Sequence, residues 1–150
     1  ETGEEIKKQE RRDAGQQQPS HLDGIPKSLP ALMRAQRMQA RAARQGFDWR
    51  EISGALDKVE EEFAELRREH EAGSEDTVED EFGDLLFSLV NVARFLHVDS
   101  EQALQRAVAK FERRFRSVEV ALQKRERSMK DSTLDELDAL WDEAKQHEEK

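Results

Sequence analysis

Residues 56–66 read Leu56-Asp57-Lys58-Val59-Glu60-Glu61-Glu62-Phe63-Ala64-Glu65-Leu66. Leu56, Val59, Phe63 and Leu66 recur at spacings of three and four, the period of a helix that buries one face. The helix is predicted from about Trp49 to Glu71, where Gly73-Ser74 breaks it. At about 100° per residue its apolar stripe centres between Val59 and Phe63. Glu62 then lies at the stripe's edge, Glu65 lies beside it one turn on, and Glu61 points further out. On this helix alone, a solvated acidic face would give the same pattern.

Working outward, four further helices are expected. One precedes it, from about Leu29 to Gln45, with Pro30 at the first helical position and Gly46 supplying the C-terminal turn. Three follow: Glu75 to His97, Asp99 to Arg127 with Asp99 as N-cap, and a last one that opens on the capping-box spacing Thr133-x-x-Glu136 and runs to about Gln146. Residues 1–24 are polar and aperiodic, with Gln16-Gln17-Gln18-Pro19-Ser20 among them, and read as a disordered tail or linker. The folded domain is expected over 25–150. No internal repeat is visible.

Composition agrees. The 150 residues suit one domain; 39% are charged and only 35% apolar, so the core is thin. Strong helix formers dominate, and β-branched and aromatic residues are scarce, which makes the fold class all-α. A net charge of −9 argues against a nucleic-acid binder. It leaves room for an anionic small substrate, because a bound divalent cation inverts the local charge. The absence of cysteine excludes disulfides and thiolate metal sites and makes a reducing cytoplasm the expected location. The Leu85–Val98 run is too short and too polar to span a bilayer, so no membrane partner is expected.

The Glu75–His97 helix sharpens the chemistry. Leu85-Leu86-Phe87-Ser88-Leu89-Val90-Asn91-Val92-Ala93 is apolar on all sides, which predicts a helix surrounded by other elements. Along it Glu81, Asp84, Ser88 and Asn91 form one polar stripe. Buried polar groups need partners and a buried carboxylate needs a cation or a proton. Glu62 and Glu65 on one helix could therefore face Glu81 and Asp84 on the next, a set of hard oxygen ligands suited to Mg²⁺ or Mn²⁺. Satisfied structural hydrogen bonds are the alternative. A di-iron bundle needs Glu-x-x-His, and none of His21, His70, His97 or His147 has Glu three positions before it. On the next helix Arg106, Lys110 and Arg114 line one flank of the stripe Leu104, Ala107, Val108, Phe111, Phe115, Val118 and Leu122, and suit a phosphate-binding edge or a solvated basic flank. Trp49 and Trp141 could stack on a base, although Trp141 also fits an apolar stripe with Leu134, Leu137 and Ala144.

Glu61-Glu62-x-x-Glu65 followed by Glu81-x-x-Asp84 resembles the EExxE and ExxD metal-binding motifs of MazG-type all-α nucleoside triphosphate pyrophosphohydrolases. The likeness extends over Leu29-Pro30-Ala31-Leu32, Gln45-Gly46-Phe47-Asp48-Trp49, the 85–91 run, Lys110-Phe111-x-Arg113-Arg114-Phe115 and Leu140-Trp141, from about Ile25 to Lys145. It departs at Asp80-Glu81, where many relatives have Glu-Glu. The resemblance implies a four-helix-type MazG bundle with an additional C-terminal helix. It implies that Glu62, Glu65, Glu81 and Asp84 hold Mg²⁺ with Glu61 in support, that Lys110 and Arg114 contact the triphosphate, and that Trp141 serves the nucleotide site. Asn91 and Trp49 join the candidate substrate-binding residues. The N-terminal Glu4–Glu10 stretch resembles the end of an upstream domain in two-domain relatives, which would make Asp13–Gly24 a former interdomain linker.

The expected reaction is hydrolysis of a (d)NTP to the monophosphate and pyrophosphate, in nucleotide-pool housecleaning. Four carboxylates would repel a triphosphate unless divalent cations lie between them. Glu61 or Glu62 would orient or deprotonate the attacking water, and Lys110 and Arg114 would offset charge on the leaving group. The rival readings are a dUTP, dCTP or phosphoribosyl-ATP pyrophosphatase and a non-catalytic helical module. The resemblance also implies a homodimer or higher oligomer.

Overall fold

In the computed structural model the backbone is described for residues 2–13 and 18–148. It runs α1 (Gly3–Asp13), α2 (Ala31–Arg44), α3 (Ile52–Ala72), α4 (Glu75–Phe95), α5 (Ser100–Lys124) and α6 (Leu134–Glu148), with no strand among the described residues. The all-α fold expected from composition is therefore observed, and all five expected helices are present with ends moved by a few residues. Among the described residues no helix is long and apolar enough to cross a membrane.

The chain divides into two compact units, Glu1–Glu101 and Gln102–Lys150. In the first, α4 packs against both α3 and α2. Its buried apolar residues are small: Ala55, Val90 and Val92. The turn between α3 and α4 is made by Gly73 at φ 79°, whose N–H donates to Glu69 O at 3.1 Å and His70 O at 3.3 Å. That left-handed conformation is cheap only for glycine. Two residues of connection then send α4 back along α3. Gln36 on α2 spans the far turn, donating from Nε2 to Val98 O at 2.9 Å and accepting from Ser100 N–H at 2.8 Å.

The structure differs from the sequence reading at three places. Within the first unit α4 packs against α2 and α3, and Phe82, Leu86, Phe87 and Leu89 stay about half exposed rather than buried on all sides. On α3 the buried face carries Ala55 and Glu62, while Leu56 and Phe63 remain exposed. In the expected tail, Gly3–Asp13 is helical. Thr2 and Glu5 cap it reciprocally, Thr2 N–H donating to Glu5 Oε2 at 3.0 Å and Glu5 N–H to Thr2 Oγ1 at 3.3 Å. The segment at Ser20–Gly24 is also built in: Arg41 Nη1 donates to His21 O at 3.0 Å and Asp23 O at 2.9 Å. Gln16 and Gln17 of the polar run lie outside the described residues.

In the second unit Val118 and Leu122 of α5 and Leu140 of α6 form a buried core, with Ala121, Met129, Leu137 and Trp141 packed around it. α6 opens with Glu136 N–H donating to Thr133 Oγ1 at 3.1 Å. The reciprocal arm of the expected capping box is not made, because Glu136 Oε2 accepts from Arg127 Nη2 at 2.9 Å.

Candidate metal centre and adjoining cavity

α3 contributes Glu62, and α4 contributes Glu81 and Asp84; one carboxylate oxygen from each lies within 4.8 Å of the others. Helix geometry explains the convergence. Glu62 is two turns beyond the fully buried Ala55 and shares its face. Glu81 and Asp84, three apart, share a face of α4.

Glu62 is only 8% exposed, yet its charge is answered. Lys58 Nζ lies 3.1 Å from Glu62 Oε1 and 3.3 Å from Glu61 Oε1. These contacts, that to Glu62 first, hold the ammonium above its ordinary pKa. Glu81 is pushed above the usual carboxylate value. Desolvation is the largest cause, followed by its hydrogen bond to Glu62 and the charges of Glu62, Asp84 and Glu65. Three crowded hard-oxygen donors, whose mutual repulsion a positive charge would relieve, fit a divalent cation of the Mg²⁺ type.

Glu65 stands apart from this trio. Its carboxylate pairs with Arg68 one turn on, although its charge still reaches Glu81. Glu61 is exposed and pairs with Lys58. Ser88 is buried and donates to Leu85 O at 2.7 Å, the satisfied structural bond weighed in the sequence analysis.

Beside the carboxylates opens a cavity of about 660 Å³, which Glu62 and Asp84 help to line. Met38, Phe47, Trp49 and Phe87 give it an apolar interior, and Asn91 and Asp48 stand at its wall. The α2–α3 loop owes its shape to Gly46, at φ 89°, after which Phe47 N–H turns back to Ala42 O at 3.1 Å. Trp49 lies against Gly54, where an added Cβ would come 2.9 Å from its ring.

Lys110, Arg114 and Trp141 belong to the second unit. Arg114 Nε donates to Glu148 Oε2 at 2.9 Å, and its guanidinium lies 5.8 Å from the Trp141 ring centroid. Phe111 stands 5.5 Å from Trp141 and 5.7 Å from Phe115. Lys110 is exposed. Trp141 is thus a core-edge residue and an arginine platform together.

Sequence reasoning missed Lys58, although its i,i+4 spacing to Glu62 was readable. It also missed Arg94, Gln39 and Met38, whose roles depend on long-range placement that no local pattern encodes.

Comparison with known proteins narrows the identity. Residues 51–118 match the MazG nucleotide pyrophosphohydrolase domain. Over 51–118 the chain is MazG-like. It is 46% identical over 147 residues to a nucleoside triphosphate pyrophosphohydrolase of Escherichia coli K12, covering 97% of this chain and 55% of that protein. It is 42% identical over 142 residues to the nucleoside triphosphate pyrophosphohydrolase/pyrophosphatase MazG of Thermotoga maritima, covering 95% and 53%. A Bacillus subtilis protein, YabN, is 43% identical over 146 residues, 97% of this chain and 29% of that one. The chain thus spans about half the length of the first two relatives. The MazG match contains all four carboxylates expected to hold metal, together with Lys110 and Arg114.

Proposed function

We propose that this chain is a Mg²⁺-dependent nucleoside triphosphate pyrophosphohydrolase, converting a (d)NTP and water to the (d)NMP and pyrophosphate. The observation that carries the proposal is the meeting of Glu62, Glu81 and Asp84 at the edge of an apolar, tryptophan-walled cavity. A triphosphate needs cations at one end and an apolar slot for its base at the other. The relatives' names point to the same activity.

Glu62, Glu81 and Asp84, with Glu65 in support, would hold Mg²⁺, for which Mn²⁺ could substitute. The ion supplies positive charge that lets an anionic substrate approach and polarises its phosphoryl oxygens. Glu61 or Glu62 accepts the attacking water's proton, and Lys58, paired with both carboxylates, orients them. Lys110 and Arg114 are assigned to the triphosphate, where a guanidinium fork matches phosphate oxygens. Trp49, stacked on Gly54, offers a face to the base, Asn91 offers a hydrogen bond, and Trp141 serves the nucleotide site beside Arg114. The half-exposed Phe63, Phe82, Leu86 and Leu89 support assembly into at least a dimer, because such residues are normally covered.

The test is pyrophosphate release from a panel of ribo- and deoxyribonucleoside triphosphates. Equimolar monophosphate and pyrophosphate with Mg²⁺, abolished by EDTA, is the expected result. Release of orthophosphate, or turnover unaffected by EDTA, would refute the assignment.

A further inference from the structure

One arginine, which the proposed reaction does not use, organises the polar wall of the cavity. Arg94, in the last turn of α4, donates from Nη1 to Asp48 Oδ2 at 3.1 Å and from Nη2 to Asp48 Oδ1 at 2.5 Å. Nη2 also donates to Asn91 Oδ1 at 3.0 Å. Asp48 belongs to the α2–α3 loop and Asn91 to α4, and both line the cavity. The guanidinium therefore ties the loop wall to the helix wall. Its side chain is 17% exposed and that of Asp48 23%, so solvent screens this fork little. The pairing holds the Asp48 carboxyl below its usual range.

The contact to Asn91 fixes a chemical polarity. A carboxamide has one acceptor oxygen and two N–H donors, whereas a guanidinium has donors alone. A half-turn of the Asn91 amide would set N–H against N–H, so the oxygen stays on Arg94. What is left to meet an occupant is Nδ2–H, a donor. Asp48 is already committed, since both oxygens accept from Arg94 and Oδ1 also accepts from Trp49 N–H at 2.9 Å. The Gln39 amide nitrogen is bonded to Phe87 O at 2.9 Å.

We propose that Arg94 is a positioning residue for nucleobase recognition: it presents Asn91 as a donor and holds the Trp49 loop as a wall. The cavity then takes a heteroaromatic base whose edge offers an acceptor, a carbonyl oxygen or a ring nitrogen. This rests on the assignment of the cavity to the base of a triphosphate substrate.

The test compares the nucleoside triphosphate with inorganic tripolyphosphate, which has no base, on the whole chain in Mg²⁺. Arg94→Lys keeps the charge and loses the fork; Asn91→Asp keeps the shape, loses the donors and adds a charge that the Arg94 fork pairs, with tripolyphosphate as the control for that charge. Each is expected to raise KM for the nucleotide about tenfold with kcat within about twofold, the size of one lost polar contact. Inhibition by tripolyphosphate should stay within about twofold of wild type, and the double variant should be no worse than the poorer single one, because both act on one contact. Should Arg94→Lys lose its helical circular dichroism, Asn91→Asp alone decides. An unchanged nucleotide KM in folded Asn91→Asp overturns the proposal, as does an equal weakening of tripolyphosphate. A wild-type chain that turns over no nucleotide overturns the proposed activity, and this inference with it.

Discussion

Glu81 couples the carboxylate cluster to pH. Its pKa is raised, mainly by desolvation and then by Glu62. The folded protein thus holds this proton more tightly than the unfolded chain does. The group's stabilising contribution is full below the ordinary carboxylate value and is lost as pH rises through the raised one. A divalent cation held by the proposed site would compete with that proton. Mg²⁺ should therefore raise the thermal midpoint more at neutral pH than near pH about 4.5, the ordinary carboxylate range. An equal shift at both, measured by scanning calorimetry, would remove Glu81 from the cation's ligands. Gly54 makes a second residue-scale case. Its missing side chain seats Trp49, with the virtual Cβ 2.9 Å from the ring. Gly54→Ala must displace Trp49 from the cavity wall and should cost about 1–3 kcal/mol as overpacking. Chemical denaturation and a changed Trp49 emission check this, with Trp141→Phe as the spectroscopic background.

At the scale of elements, what was legible followed local rules. Leu56-x-x-Val59-x-x-x-Phe63 gave a helix, Gly73 its end and Thr133 the start of α6, because period, left-handed φ and capping act within a few residues. Thr133→Ala should lose about 1 kcal/mol, read from the denaturation midpoint, since Glu136 does not return the bond. The buried face of α3 was read one step off: hydropathy centred it between Val59 and Phe63 with Glu62 at its edge, but Glu62 is the residue turned inward. Nothing local reveals which apolar residues the fold leaves exposed. The helix at Gly3–Asp13 was missed because Ile6 is its one apolar side chain, too few to set a period, and the Thr2–Glu5 pair is its local mark. In the candidate site, the carboxylates on two helices could be paired from motif spacing. The Asp48–Arg94–Asn91 triad could not, because it joins a loop to a helix 46 residues away.

For the whole molecule, the pattern of exposure is informative. The buried apolar residues of the first unit are small, whereas Phe63, Phe82, Leu86 and Leu89 lie open on α3 and α4. The proposed self-association would account for both. Phe63→Glu combined with Leu89→Glu should therefore convert an oligomer to monomers in analytical ultracentrifugation; an unchanged mass would place the subunit contact elsewhere. The proposed function requires that acidic side chains of α3 and α4 share one divalent cation. Titration of Mn²⁺ followed by electron paramagnetic resonance measures this without requiring turnover. Wild-type protein should bind the ion, and Glu81→Gln and Asp84→Asn, both retaining their helical spectrum, should each weaken it at least about tenfold. Equal Mn²⁺ affinity in wild type and both variants would contradict the account.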